Sequence, residues 1–123
     1  MKAHLSTALA AGIFLSANAH ATYNATSTGT VKSIQQSSPS VGATPGTFYF
    51  QISTQPTVNC GAASGYFIVS PNSVSDAQTR INFLAILMSA QATGSQVEVA
   101  YDSTGGFCDQ GAVGVYYIVI ISQ

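Results

Sequence analysis

Apolar and polar residues alternate along several stretches of this chain, and one helical stretch interrupts them. Residues 47–53 put Phe48, Phe50 and Ile52 on one face and Tyr49, Gln51 and Ser53 on the other, the two-residue period of a half-buried strand. Residues 96–102 repeat the pattern, with Val97, Val99 and Tyr101 opposed to Gln96, Glu98, Ala100 and Asp102. Residues 66–70 and 115–121 are apolar on both faces, so each is read as a strand covered on two sides. A weaker strand is read over 31–35, where Val31 and Ile34 share a face only if a bulge intervenes. Residues 37–46, with Ser, Gly and two prolines, and the Gly-rich residues 103–111 read as loops.

The helix is predicted over 77–92. Ser73 or Ser75 can cap it, Asp76 falls in the first turn where the helix dipole favours a negative charge, and Gly94 suits the stop. Ala77, Ile81, Leu84 and Met88 follow one helical face, whereas Phe83, Ile86 and Leu87 lie off that stripe. Either the helix is engulfed by its own domain or a second copy covers the surplus. A domain this small can hardly engulf a helix, so the second reading is preferred. Phe83, Ile86 and Leu87, with Tyr116 and Ile118 of the two-faced last strand, are the expected oligomer interface.

The order is strand, strand, strand, helix, strand, strand: mainly β with one helix. Five strands with the helix between the third and fourth is the layout of the OB fold, a small Greek-key barrel, expected here over 31–123. The rival is a sandwich with the helix on one face of an open sheet. The barrel is preferred because it removes sheet edges that a weakly charged chain cannot protect.

The first 21 residues read as an export leader. Lys2 supplies the positive start, 5–15 are apolar, and Ala17-Asn18-Ala19 and Ala19-His20-Ala21 both satisfy the small-x-small cleavage rule. Cleavage after Ala21 is preferred; cleavage after Ala19 would keep His20. The apolar stretch is short of the ~20 residues that span a bilayer, so a secreted or periplasmic product is expected, without membrane insertion. Residues 22–30 read as a flexible amino-terminal arm.

Removal of the leader changes the chemical picture most. Lys32, Asp76, Arg80, Glu98, Asp102 and Asp109 are then the charged side chains, and both histidines are gone. Two cations cannot supply the basic footprint that nucleic acid needs. Without histidine or a lysine-bearing motif no nucleophilic triad can be written. Glu98 and Asp102 share a strand face about 13 Å apart, beyond the ~6.5–9.5 Å of an inverting glycosidase pair. Glu98 is instead read as a surface partner for Arg80 or Lys32. No enzyme, cofactor or metal is expected. In an exported chain Cys60 and Cys108 read as a disulfide, worth roughly 4 kcal/mol in the chain-entropy account.

Residues 60–71, with the core Gly-Tyr-Phe-Ile-Val-Ser-Pro, lead into the helix. Gln96-Val97-Glu98-Val99-Ala100-Tyr101-Asp102, Cys108 and a terminal Tyr-x-Val-x-Ile strand follow. In element order and cysteine placement this resembles the binding subunits of subtilase-cytotoxin and pertussis-like bacterial toxins and their exported relatives, from about residue 29 to the end. The resemblance implies an OB fold, a ring-shaped homopentamer with helices around the pore, recognition of cell-surface glycans and room for a separate enzymatic chain. Sugar hydroxyls call for planar acceptors, amides and an aromatic face. Tyr49 and Gln51 on a polar strand face, and Asp102, Ser103 and Asp109 around one loop, are the candidate glycan residues. Two other readings stay open: a structural or adhesive self-assembling surface protein, which the charge-poor Ser/Thr/Gly/Ala-rich composition favours, and an enzyme or inhibitor of unrecognised mechanism.

Overall fold

The protein is described here by a computed structural model over residues 23–36, 46–61, 65–104 and 107–121. The leader read over 1–21, Thr22 of the arm and residues 37–45 of the long loop lie outside the described residues. The elements run β1 (Ala25–Gln36), β2 (Phe48–Ile52), β3 (Phe67–Val69), α1 (Ala77–Thr93), β4 (Gln96–Tyr101), β5 (Cys108–Asp109), β6 (Ala112–Gly114) and β7 (Tyr117–Ile121). One sheet of seven strands joins them in the order β5-β6-β3-β2-β1-β4-β7. Its pairs are antiparallel except β3 with β6.

The sheet is curled. β6 pairs with β3 towards one end of the order and β7 with β4 at the other, yet only Val115 and Tyr116 separate β6 from β7. The Cα steps from Gly114 to Tyr117 reach at most ~11 Å, so the two ends must approach and bend the sheet into a half-barrel. The pairing switches across the break: Gly114 N–H donates to the Phe107 carbonyl, and Tyr116 N–H already donates to that of Ala100 in β4.

A mainly β chain with one helix was expected, and the described residues are mainly β with one helix, but with seven strands rather than five. The last expected strand breaks in two where it changes partner. The loop read over 103–111 contains β5, folded onto β6 by a two-residue turn in which Gln110 (φ 51°) and Gly111 (φ 84°) both adopt left-handed backbone. Such a turn matches the twist of a hairpin. Nor, where it is described, is the expected amino-terminal arm loose. From Ala25 onwards its residues are the first half of β1, paired with β4 from Ala25↔Tyr101 to Thr30↔Gln96. The inward positions of this half are small, Ala25, Ser27 and Gly29, so they carry little hydrophobic signal. Gly29 lies where a Cβ would collide with the Ser53 hydroxyl. The bulge that Val31 and Ile34 required falls between Val31 and Ser33.

The helix ends are set by Asp76, rather than Ser73 or Ser75, and by Gly94. Asp76 Oδ2 accepts from Thr79 N (2.9 Å) and Thr79 Oγ1 (2.7 Å). Gly94 (φ 72°) donates its N–H to the Ala90 carbonyl. The helix also faces the other way from the expected one. Phe83, Leu87 and Ala90 are buried, while Ile81 and Met88 are 59% and 57% exposed. Two bulky residues and a small one let α1 seat closely on the inner side of the sheet, against the cluster of Phe50, Phe67, Val97, Val99, Val113 and Ile118. The rings of Phe50 and Phe67 stack at 5.3 Å, and Tyr101 meets Phe67 edge-on at 5.6 Å. Cys60 and Cys108 form the expected disulfide, tying the segment after β2 to β5.

Candidate functional site

The five candidate glycan residues do not come together in one place. Tyr49 and Asp109 meet at the β5–β6 turn, where the Tyr49 hydroxyl donates to the Gln110 carbonyl at 3.1 Å and its ring packs edge-on to Tyr66. Asp109 is occupied by its own chain: the buried Ser70 hydroxyl donates to Oδ2, and Asn72 Nδ2 donates to Oδ1 at 3.3 Å. Gln51 accepts a long hydrogen bond from Ser33 across β1 and β2. The bonds of Tyr49 and Asp109 act as a brace, tying the hairpin to β2 and to the end of β3, and Gln51 has no part in it.

Asp102 and Ser103 follow β4. Asp102 Oδ1 accepts from Thr104 N (3.0 Å) and Thr104 Oγ1 (2.6 Å), an Asx turn. The Thr104 bonds, hydroxyl first, hold its carboxyl below the ordinary 3.8. Ser103 N and Oγ both donate to Asn24 Oδ1, at 2.8 and 2.9 Å, and Asn24 N donates to the Tyr101 carbonyl. These bonds pin the start of β1 and so place Tyr23. The Tyr23 ring lies 5.4 Å from Tyr117, edge-on, and 6.2 Å from Tyr116, which packs in turn on Phe107 at 6.4 Å.

Register places Tyr117 in a wider surface. On the inner side of β1, β4 and β7 lie Ser27, Val97, Val99, Tyr101 and Ile118, facing the core and α1. The opposite parity therefore faces outward: Thr26 and Thr28 of β1, Glu98 and Ala100 of β4, Tyr117 and Val119 of β7. Thr26, Thr28 and Val119 are exposed, Glu98 and Tyr117 half-buried, and Tyr23 at the margin is 40% exposed. Ala100, directly opposite Tyr117, faces outward yet is fully buried. The Tyr117 hydroxyl donates to Glu98 Oε1 at 3.3 Å. Burial, then the Glu98 charge, pushes the Tyr117 phenol above its ordinary 10.0, so it stays a neutral donor. Glu98 thus takes this hydroxyl rather than Arg80, whose Nη1 donates to the Val74 and Ser75 carbonyls.

The face offers an exposed ring, hydroxyls and a carboxylate with acceptor capacity remaining, a set suited to holding a polar ligand with an apolar side. Sequence reading passed over Tyr23 because it lay in the supposed arm, and over Tyr117 because it lay in a strand read as apolar. Strict alternation from Glu98 was the available signal. Among the described residues no three His, Cys, Asp or Glu gather as a metal site, and no helix is long and apolar enough to cross a membrane.

The expected oligomer interface needs revision. Phe83, Leu87 and Ile118 belong to the protein's own core. Ile86 and Tyr116 are half-buried. Among the described residues, the large apolar side chains that do reach solvent are Ile81 and Met88 of α1, Val119 and Ile120 of β7, and Tyr23. In comparisons with known proteins, no family model, no curated protein and no solved structure matches this chain.

Proposed function

We propose that this chain is an exported, non-catalytic binding subunit that assembles with copies of itself and recognises cell-surface glycans. The observation that carries the reading is the outer face of β1, β4 and β7, where the exposed Tyr23 ring, Glu98, Thr26 and Thr28 share a rigid sheet surface. The scaffold is read as an OB-type barrel. In support, β1 neighbours both β2 and β4, α1 lies between β3 and β4, and β6 and β7 act as one broken last strand that adjoins β3 in parallel and β4 antiparallel. The β5 hairpin is then an addition to the five-strand layout.

Self-association is supported by apolar surface in unexpected positions. Ile81 and Met88 point out from a helix whose one charged side chain, Arg80, is turned back onto carbonyls. β7 ends the sheet with Val119 and Ile120 each 42% exposed. A shallow face binds one sugar weakly, and repeating it in an assembly raises avidity by ~10²–10⁴. The ring of five and the separate enzymatic chain follow from the resemblance to toxin binding subunits. Export follows from the leader and agrees with the disulfide.

Native mass spectrometry and a glycan array on the exported protein test the proposal together. A discrete closed oligomer with sugar-dependent signal is expected. Open polymers that bind no glycan would overturn it in favour of a self-assembling surface protein, the reading that the outward edge of β7 favours.

A further inference from the structure

Resting on the self-association reading, we infer that the free edge of β7 pairs with the β7 of a second copy. The two strands run antiparallel about a two-fold axis at Val119, so that two half-barrels share one continuous sheet.

The edge is open and unguarded. Among the described residues β7 pairs with β4 alone and ends the sheet, which leaves the main-chain groups turned away from β4 without a ladder partner. Edge strands are commonly blunted by charge or proline; Tyr117-Ile118-Val119-Ile120-Ile121 has neither. Val119 and Ile120 are neighbours on opposite faces, and each is 42% exposed. A strand covered on one face would hide one of two such neighbours. Ile118, on the same inner face as Ile120, is 2% exposed, so the apolar inner layer outruns the protein's own cover at Ile120.

The occupant follows from this chemistry. Unpaired main chain asks for an extended strand, and exposed Val119 and Ile120 ask that it be apolar on both faces. β7 is itself such a strand, whereas β3 and β6, the other apolar ones, are enclosed between neighbours. The opposite end of the sheet cannot serve. β5 has two residues, Cys108 in the disulfide and Asp109 held by Ser70 and Asn72, against five in β7. Like therefore pairs with like. Centred on Val119, antiparallel pairing sets Ile118 against Ile120 on the inner face and Tyr117 against Ile121 on the outer one, so the faces match. Glu98 lies opposite Val119 on β4, and the two copies' Glu98 stand three strand spacings apart, about 14 Å, beyond the ~8 Å screening length. Such a contact closes on itself. A ring of five needs a head-to-tail contact elsewhere, and this edge would then join rings in pairs.

The full exported protein is followed by native mass spectrometry over a concentration series, and even-numbered assemblies are expected. Val119→Lys sets two like charges opposite each other across the axis and should weaken pairing by more than about tenfold. The melting temperature of the dilute variant should be retained, because the position is already exposed. Val119→Cys should give, on air oxidation, a covalent dimer that peptide mapping places at position 119. Directly opposed residues of antiparallel strands have Cα atoms ~4.5–5.5 Å apart, within disulfide reach. Thr28→Cys, exposed on β1 two strands away, should give none. Odd-numbered or open assemblies, an assembly that Val119→Lys leaves intact, or equal cross-linking at both positions would overturn the inference while leaving self-association standing. A parent that stays monomeric throughout overturns both.

Discussion

Two aspartates show how far a local hydrogen bond can reach. Asp76 and Asp102 each accept a hydroxyl and an N–H from a nearby threonine. These bonds, the hydroxyl first, hold both carboxyls below the ordinary 3.8. A group depressed in the folded state contributes stability that is complete above its unfolded pKa and is lost as pH falls through the folded one. Asp76→Ala is therefore expected to lower Tm at neutral pH, and the gap to the parent should close as the pH is taken below 3.8. A Tm-against-pH series on both proteins checks this; a gap that persists unchanged into acid goes against it. The choice of cap was not legible in sequence. Ser73, Ser75 and Asp76 are all good caps, and only the extended backbone at Asp76 (φ −80°, ψ 120°) singles it out.

Among the elements, α1 carries the largest difference between sequence and structure. Its span and its Gly94 stop were readable, because helical period and a left-handed C-cap are local properties. Its rotation was not. Apolar residues occupy more than one stripe, and the stripe that faces inward is decided by how closely the helix can approach β1, β4 and β7. Ala90 makes that approach possible beside Phe83 and Leu87. Leu87→Ala should then cost about 2–5 kcal/mol of folding stability, whereas Met88→Ala in a dilute monomer should stay within about 0.5 kcal/mol. Urea denaturation of the two variants measures both. Equal losses would mean that the helix is turned differently. In an assembled protein Met88→Ala should instead weaken association, which separates a core role from an interface role.

The whole molecule is held as one unit by contacts distant in sequence. Cys60 and Cys108 are 48 residues apart and join the segment after β2 to β5, a strand of two residues that pairs with β6 alone among the described residues. Asp109, beside Cys108, is held in turn by Ser70 and Asn72. Replacing both cysteines with serine should lower stability by roughly 4 kcal/mol in the chain-entropy account, measured as a lower urea midpoint than the parent's. An unchanged midpoint would mean that the Asp109 contacts secure the hairpin without the covalent link.

The sequence by itself determined that the described residues are β-rich with one helix, where β2, β3, β4 and α1 lie, and that the two cysteines pair. Each follows from a period, a cap or a compartment rule that acts over a few residues or on composition. Tertiary structure alone decided that β1 begins at Ala25, because small inward residues give no periodic signal until β4 lies beside them. It alone turned the loop after β4 into a hairpin and broke the last strand where its partner changes from β3 to β4. It also drew Tyr23, Glu98 and Tyr117 onto one face. No local pattern joins residues so far apart in the chain; the register of three strands does.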